Sequence, residues 1–233
     1  METQPMRAAA GYTVGPLPIP HKRQVRQNLF RIFSPKAGMR VVIAESRLEA
    51  DAIFLIEGQP QYTWLCEQPF RIDRPIGKKP FCTLDLAVRD CDGNETLYEI
   101  KPEDHLEDRS DGRRVPPNWD AIVSACDEFG RNVSFMTDRE IYEREALIEN
   151  WRFLLPFAVM GYEDPDAELS KQLVNLASVG GIRLGDLIIA EPTIPERVVL
   201  SHVAMLLHKG QLTGDLDSRI NSGSILKGVP SEA

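Results

Sequence analysis

Thr83-Leu84-Asp85-Leu86-Ala87-Val88 and, past a turn-forming Asp92-Gly93-Asn94, Thr96-Leu97-Tyr98-Glu99-Ile100-Lys101 decide how this chain is read. Two strand-like runs joined by such a turn predict a β-hairpin. Strand side chains alternate between faces, so Glu99 and Lys101 share one face and Tyr98 and Ile100 the other. On the first run Thr83, Asp85 and Ala87 share a face, opposite Leu84, Leu86 and Val88. If the two apolar faces are buried together, Asp85, Glu99 and Lys101 are left clustered on the other side. Paired carboxylates repel unless a cation lies between them, and hard ions such as Mg²⁺ or Mn²⁺ prefer oxygen ligands. A lysine beside such an ion suits phosphate, which points to phosphodiester hydrolysis.

Upstream, Leu48, Ala52, Leu55 and Ile56 recur at helical spacing, which predicts a helix over 45–57 stopped by Gly58. Glu49 falls on the border of its apolar stripe, placed to complete a metal shell; Glu45 is expected to face solvent or the first turn. Phe70-Arg71-Ile72 and Val133 to Met136 read as strands. A helix is expected from an Asn118 cap to Phe129, ended by Gly130. Thr137-Asp138-Arg139-Glu140 has capping-box spacing before a helix that Pro156 should close. Beyond Gly161 the pattern changes to three short helices, expected around Leu169 to Leu176, over 184–190 and over 195–208, followed by an expected small β element, a wing, at Gly210 to Gly214. The expected organisation is an extended basic arm over 1–40, a mixed sheet flanked by helices over 41–161, and a small winged-helix-like domain over 162–233.

Composition sets limits. Hydrophobic and charged fractions of 42% and 27% over 233 residues are ordinary for a globular chain. No run approaches the length of a membrane span and Met1-Glu2-Thr3-Gln4 does not start like a secretory signal, so no membrane partner and a cytoplasmic location are expected. Cys66, Cys82, Cys91 and Cys126 are too scattered to spell a zinc site. The four histidines, His21, His105, His202 and His208, adjoin no nucleophile signature, and there is no phosphate-binding glycine loop. Trp64, Trp119 and Trp151 read as core anchors. A net charge of −8 confines any DNA contact to a local patch. The basic stretch Lys22, Arg23, Arg26, Arg31, Lys36 and Arg40 contains no acid, and Lys22, Arg23 and Arg26 are its candidate phosphate contacts. Residues 151–233 carry seven Lys and Arg against ten Asp and Glu, a balance that favours a protein-binding role for the second domain.

Together these residues resemble the PD-(D/E)xK nucleases and, within them, the TnsA family of transposase endonucleases. The resemblance runs through Glu45-Ser46-Arg47-Leu48-Glu49, Glu67-Gln68-Pro69-Phe70, Phe81 to Leu86, Leu97 to Lys101, Asp127 to Gly130, Thr137 to Ile141 and Leu147 to Asn150. In the second domain it covers Gly181 to Leu187 and His202 to Leu216, in all about 190 residues. Two positions depart from it: Leu84 stands where the motif usually has Pro, and Glu99 where some members have Gln. The resemblance implies a restriction-endonuclease-like α/β fold and a divalent metal, Mg²⁺ or Mn²⁺, held by Glu49, Asp85 and Glu99. Lys101 is then the catalytic lysine, and the substrate is the 5′ end of a transposon in a prokaryotic cell, at the nucleoid when active. Its implied partners are a DDE transposase of the TnsB type and an AAA+ regulator of the TnsC type. The alternatives are a free-standing nuclease of restriction or repair, and a non-catalytic adaptor tethering transposase to regulator.

Overall fold

The computed structural model describes residues 29–72, 76–77 and 81–229. Its elements run β1 (Phe30–Ser34), β2 (Arg40–Ala44), α1 (Arg47–Glu57), β3 (Tyr62–Glu67), β4 (Arg71–Ile72), β5 (Cys82–Thr83), β6 (Leu86–Asp90) and β7 (Glu95–Lys101). After a 3₁₀ turn at Glu103–His105 come β8 (Glu107–Asp108), β9 (Arg114–Val115), α2 (Trp119–Asp127), β10 (Asn132–Thr137) and α3 (Asp138–Tyr142). The rest is α4 (Glu145–Glu163), α5 (Ala167–Ser178), β11 (Ile182–Arg183), α6 (Leu184–Ile188), α7 (Glu196–His208), β12 (Leu212–Gly214) and β13 (Ile225–Gly228).

The chain is α/β and divides into two compact units. Of the described residues, one contains Leu29–Ile32, Val42–Ala52 and those within Tyr62–Glu143; the other contains Phe33–Val41, Ile53–Gln61 and Arg144–Val229. The division at Glu143/Arg144 differs from the expected 161/162, which falls inside α4. Helix α1 is shared, its first turns in one unit and its last turn in the other.

The first unit is built on a mixed sheet in the order β10-β7-β6-β3 and flanked by helices, with β7 antiparallel to β6 and parallel to β10. The β6–β7 turn closes as its residues dictate: Gly93 takes φ +86° and Asn94 N donates to Asp90 Oδ1 at 2.8 Å. The run expected as one strand over 83–88 is two. Cys82 and Thr83 pair with Ile72 and Arg71, and only from Leu86 does the chain join β7, with Leu86 opposite Tyr98 and Ala87 opposite Leu97. The expectation of one apolar and one polar face is also corrected. Ala87 and Leu97, on the face that carries Glu99, are buried in a core with Ile122, Ala125 and Cys126 of α2, while Leu86 and Val88 are buried on the opposite face. Only the end of the sheet is therefore left for polar groups. Trp64 and Trp119 pack against that core.

Local signals explain most boundaries. The capping box forms at Thr137, whose side chain accepts from Glu140 N. Asn118 stands at the N-cap of α2, but in a left-handed conformation with no side-chain cap bond. Proline 156 does not close its helix; it lies within α4, whose buried face of Leu147, Trp151, Leu154, Leu155 and Ala158 runs along α7. Such packing outweighs the lost hydrogen bond. At Gly161 a Cβ would lie 2.5 Å from Ser201 O, so only glycine lets these helices approach so closely. Helices α5 to α7 stand with a three-stranded antiparallel sheet, β11-β13-β12. Buried Asn150 secures the loop before β13, donating to Leu216 O and Ser218 O and accepting from Ile220 N.

Lysine 36, counted from sequence with the basic arm, is buried in the second unit. Its ammonium donates to Ile56 O and Glu57 O at the end of α1 and to Gln59 O just past it, and burial lowers its pKa to about 8. Beside it Ser34 Oγ donates to the Glu57 carboxylate, which lies 2.6 Å from His208 Nε2; His208 Nδ1 meets Tyr162 Oη at 2.8 Å. A neutral imidazole satisfies both contacts, with Nε2–H donating to Glu57 and Nδ1 accepting from tyrosine. Burial holds the His208 pKa below its ordinary value against the pull of Glu57. The unfolded chain therefore binds the extra proton first, and this group withdraws stability as pH falls through the ordinary histidine range. Urea unfolding at about pH 7.5 and about pH 5.5 should show a loss on acidification that His208→Gln reduces; an identical loss in both proteins would contradict this assignment.

Candidate functional site

Where β6 begins, the chain changes partners, and Asp85 occupies the change. Leu84 N bonds to Phe70 O at 3.0 Å, whereas Asp85 N bonds to Tyr98 O on β7 and Asp85 O accepts from Gln68 N, both at 2.9 Å. Since the regular register begins with Leu86 opposite Tyr98, the ladder is offset at Asp85. The N–H of Ile100 is taken up by the Asp85 side chain, donating to Oδ2 at 2.6 Å. Bulge-like breaks of this kind re-aim a side chain, and here the break fixes a carboxylate against β7.

Glu99 and Lys101 project from β7 beside it. Lys101 Nζ lies 2.7 Å from Glu99 Oε1 and 3.6 Å from Asp85 Oδ2, so one ammonium spans both carboxylates. Glu99 is buried, and its other oxygen, Oε2, has no hydrogen-bond partner. Burial, and then the Glu99 charge, push the Asp85 carboxyl up to about 7, opposed by Lys101 and the Ile100 N–H. Burial lowers the Lys101 pKa, but Asp85 and Glu99 outweigh it and hold the ammonium above its ordinary value.

Glu49 lies on α1, within electrostatic reach of Asp85. Ser46 opens that helix, its hydroxyl accepting from Glu49 N at 3.1 Å, and Glu49 Oε2 accepts from Glu45 N at 2.8 Å. Burial raises the Glu49 pKa first, and the Asp85 charge raises it further, so the two carboxylates lie within electrostatic reach. The structure thus brings Asp85, Glu99 and Lys101 together, with Glu49 within electrostatic reach of Asp85. Lys22, Arg23 and Arg26 lie outside the described residues.

As the side chains stand, no three His, Cys, Asp or Glu side chains among the described residues converge to hold a metal ion. What converges is Asp85 and Glu99, with the Lys101 ammonium against both. The donors are all carboxylate oxygens, and one of them, Glu99 Oε2, is buried without a partner. Such an oxygen is costly to leave bare and is satisfied by a cation, so the set fits a hard divalent ion once Lys101 moves aside.

Two residues were not assigned this position from sequence. Glu45, expected to face solvent or the first turn of its helix, is partly buried, and its Oε1 accepts from Gln68 Nε2 at 3.0 Å. Gln68, quoted within a motif but given no role, has φ +44° and touches both sides of the site. No sequence signal could have found it, because a residue before Pro69 is expected to be extended and Gln68 is left-handed. Histidines 202 and 208 are buried in hydrogen bonds of the second unit, His202 Nε2 accepting from Asp166 N at 2.9 Å.

Comparison of the sequence with family models and with curated proteins gives no match. The charges themselves are open to test. Without metal, Asp85→Asn keeps an acceptor for Ile100 and removes a repelled charge, so it should leave stability unchanged or higher. Lys101→Met leaves buried Glu99 and partly buried Asp85 without their cation and should lose about 1–3 kcal/mol. Urea unfolding in a chelator measures both; a larger loss in Asp85→Asn would contradict the account.

Proposed function

We propose that the chain is a metal-dependent DNA endonuclease of the restriction-enzyme-like class, the TnsA-type subunit of a heteromeric transposase that hydrolyses a phosphodiester at each transposon 5′ end. The observation that carries this reading is the cluster of Asp85, Glu99 and Lys101 at one sheet end, with a bare, buried Glu99 oxygen. A mixed sheet in which two paired strands and one helix supply three carboxylates and a lysine supports a restriction-endonuclease-like fold. Glu49, Asp85 and Glu99 would hold Mg²⁺ or Mn²⁺. Such an ion acidifies water and stabilises charge on a phosphate. Asp85, tied to Ile100, and Glu49, tied to Glu45, would keep fixed orientations toward that ion. Lys101, released from Glu99, would offset charge developing on the scissile phosphate or position the attacking water.

The second unit supports a different role. Helices α5 to α7 and their three-stranded sheet suit a winged-helix-like reading, yet α7 is buried along Val199 and Ser201–His208 and is not offered to a DNA groove. With the acidic excess of 151–233, this favours a protein partner, an AAA+ regulator of the TnsC type, while a TnsB-type transposase cuts the 3′ ends. Among the described residues no helix is long and apolar enough to cross a membrane. The residues at 22, 23 and 26 remain the proposed backbone contacts.

Strand-resolved cleavage of transposon-end DNA, with and without the co-encoded transposase, tests this. Mg²⁺ or Mn²⁺ should yield 5′-end cuts that Asp85→Ala reduces to background. Lys101→Ala should retain stabilisation by metal but lose cutting by at least about 100-fold. Undiminished 5′ cutting by Asp85→Ala would remove the basis for the nuclease reading and favour an adaptor.

A further inference from the structure

Gln68 joins three segments that each carry part of the acidic cluster. It follows the last residue of β3 and adopts φ +44°, a left-handed conformation that side chains disfavour and that is unusual before Pro69. Glycine would take that conformation without strain, yet the chain has glutamine, and both of its polar ends are engaged. Its backbone N–H donates to Asp85 O at 2.9 Å, at the point where the ladder is offset and the Asp85 carboxylate is turned onto β7. Its side-chain Nε2 donates to Glu45 Oε1 at 3.0 Å, and the N–H of that same glutamate grips Glu49 Oε2 at 2.8 Å. Strained backbone of this kind persists only where its surroundings fix it, and it gathers at functional sites.

We infer that Gln68 is a positioning residue for the carboxylate shell. Through Glu45 it sets the N–H that orients Glu49, and through its own N–H it sets the chain break that presents Asp85. The inference rests on the nuclease reading, because it takes Glu49 and Asp85 to be cation ligands. Groups that orient metal ligands from behind typically contribute about 10–100-fold to metal affinity. Gln68 hydrogen-bonds to Glu45 and to the Asp85 backbone and not to a proposed ligand oxygen, so its effect would be on the affinity and geometry of the shell.

The experiment is a Mn²⁺ titration of the full chain, followed by thermal melting and by calorimetry. The proteins are wild type, Gln68→Gly, Gln68→Glu, and the exchanged pair Glu45→Gln with Gln68→Glu. Gln68→Gly accepts the left-handed backbone, so it should melt near the wild type without metal yet need about tenfold more Mn²⁺ for half-saturation. Gln68→Glu sets two carboxylates against each other and should also weaken Mn²⁺ binding. The exchanged pair re-forms the hydrogen bond with donor and acceptor reversed and should return the titration toward wild type. A residue important only for folding would lower melting without metal and leave the Mn²⁺ dependence alone. Single variants that titrate like wild type, or an exchanged pair that recovers nothing, overturn the inference while leaving the nuclease reading intact. A wild type that does not respond to Mn²⁺ overturns both.

Discussion

Two carboxylates side by side at the end of a sheet, Glu99 buried and Asp85 partly buried, are the constraint on which the rest of this site depends. Like charges side by side on a sheet are unfavourable, and burial adds to the penalty. The chain answers with Lys101, whose ammonium reaches both, yet Glu99 Oε2 stays bare. A residue pair selected for stability alone is better replaced by apolar side chains of similar size. Its retention at the end of the sheet is what the proposed cation-binding role would explain.

The second unit shows the contrast. There Ser34, Glu57, His208 and Tyr162 form a closed chain of hydrogen bonds, and Lys36 spends its ammonium on three carbonyls. Trp151 Nε1 lacks a partner, but it is a neutral donor and its ring is buried in the helical core. A network satisfied in this way fixes structure and asks for no ligand. The bare charged oxygen of the first unit does ask for one.

Much of this was legible in the sequence, for identifiable reasons. Alternation along 96–101 is local, so it put Glu99 and Lys101 on one face, and helical spacing put Glu49 at the margin of α1. The offset at Asp85 was not legible, because it arises where Leu84 pairs with Phe70 and Asp85 with Tyr98, contacts set by distant segments. Lys36 looked like one more solvated cation until the end of α1 was folded onto it. Proline 156 read as a helix stop because propensity is local, and packing against α7 overrides it. The partners of Glu45 were hidden for the same reason as Asp85, since Gln68 lies across the fold and not along the helix.

The central claim is that Asp85 and Glu99 exist to share a divalent ion. Crystals of the wild-type chain grown with Mn²⁺ and measured for anomalous scattering test it most directly. The account predicts a peak bounded by the Asp85 and Glu99 carboxylates, with Glu49 facing it and the Lys101 ammonium displaced from Glu99. Lys101 still bound to Glu99, with no anomalous peak beside it in saturating Mn²⁺, would contradict it.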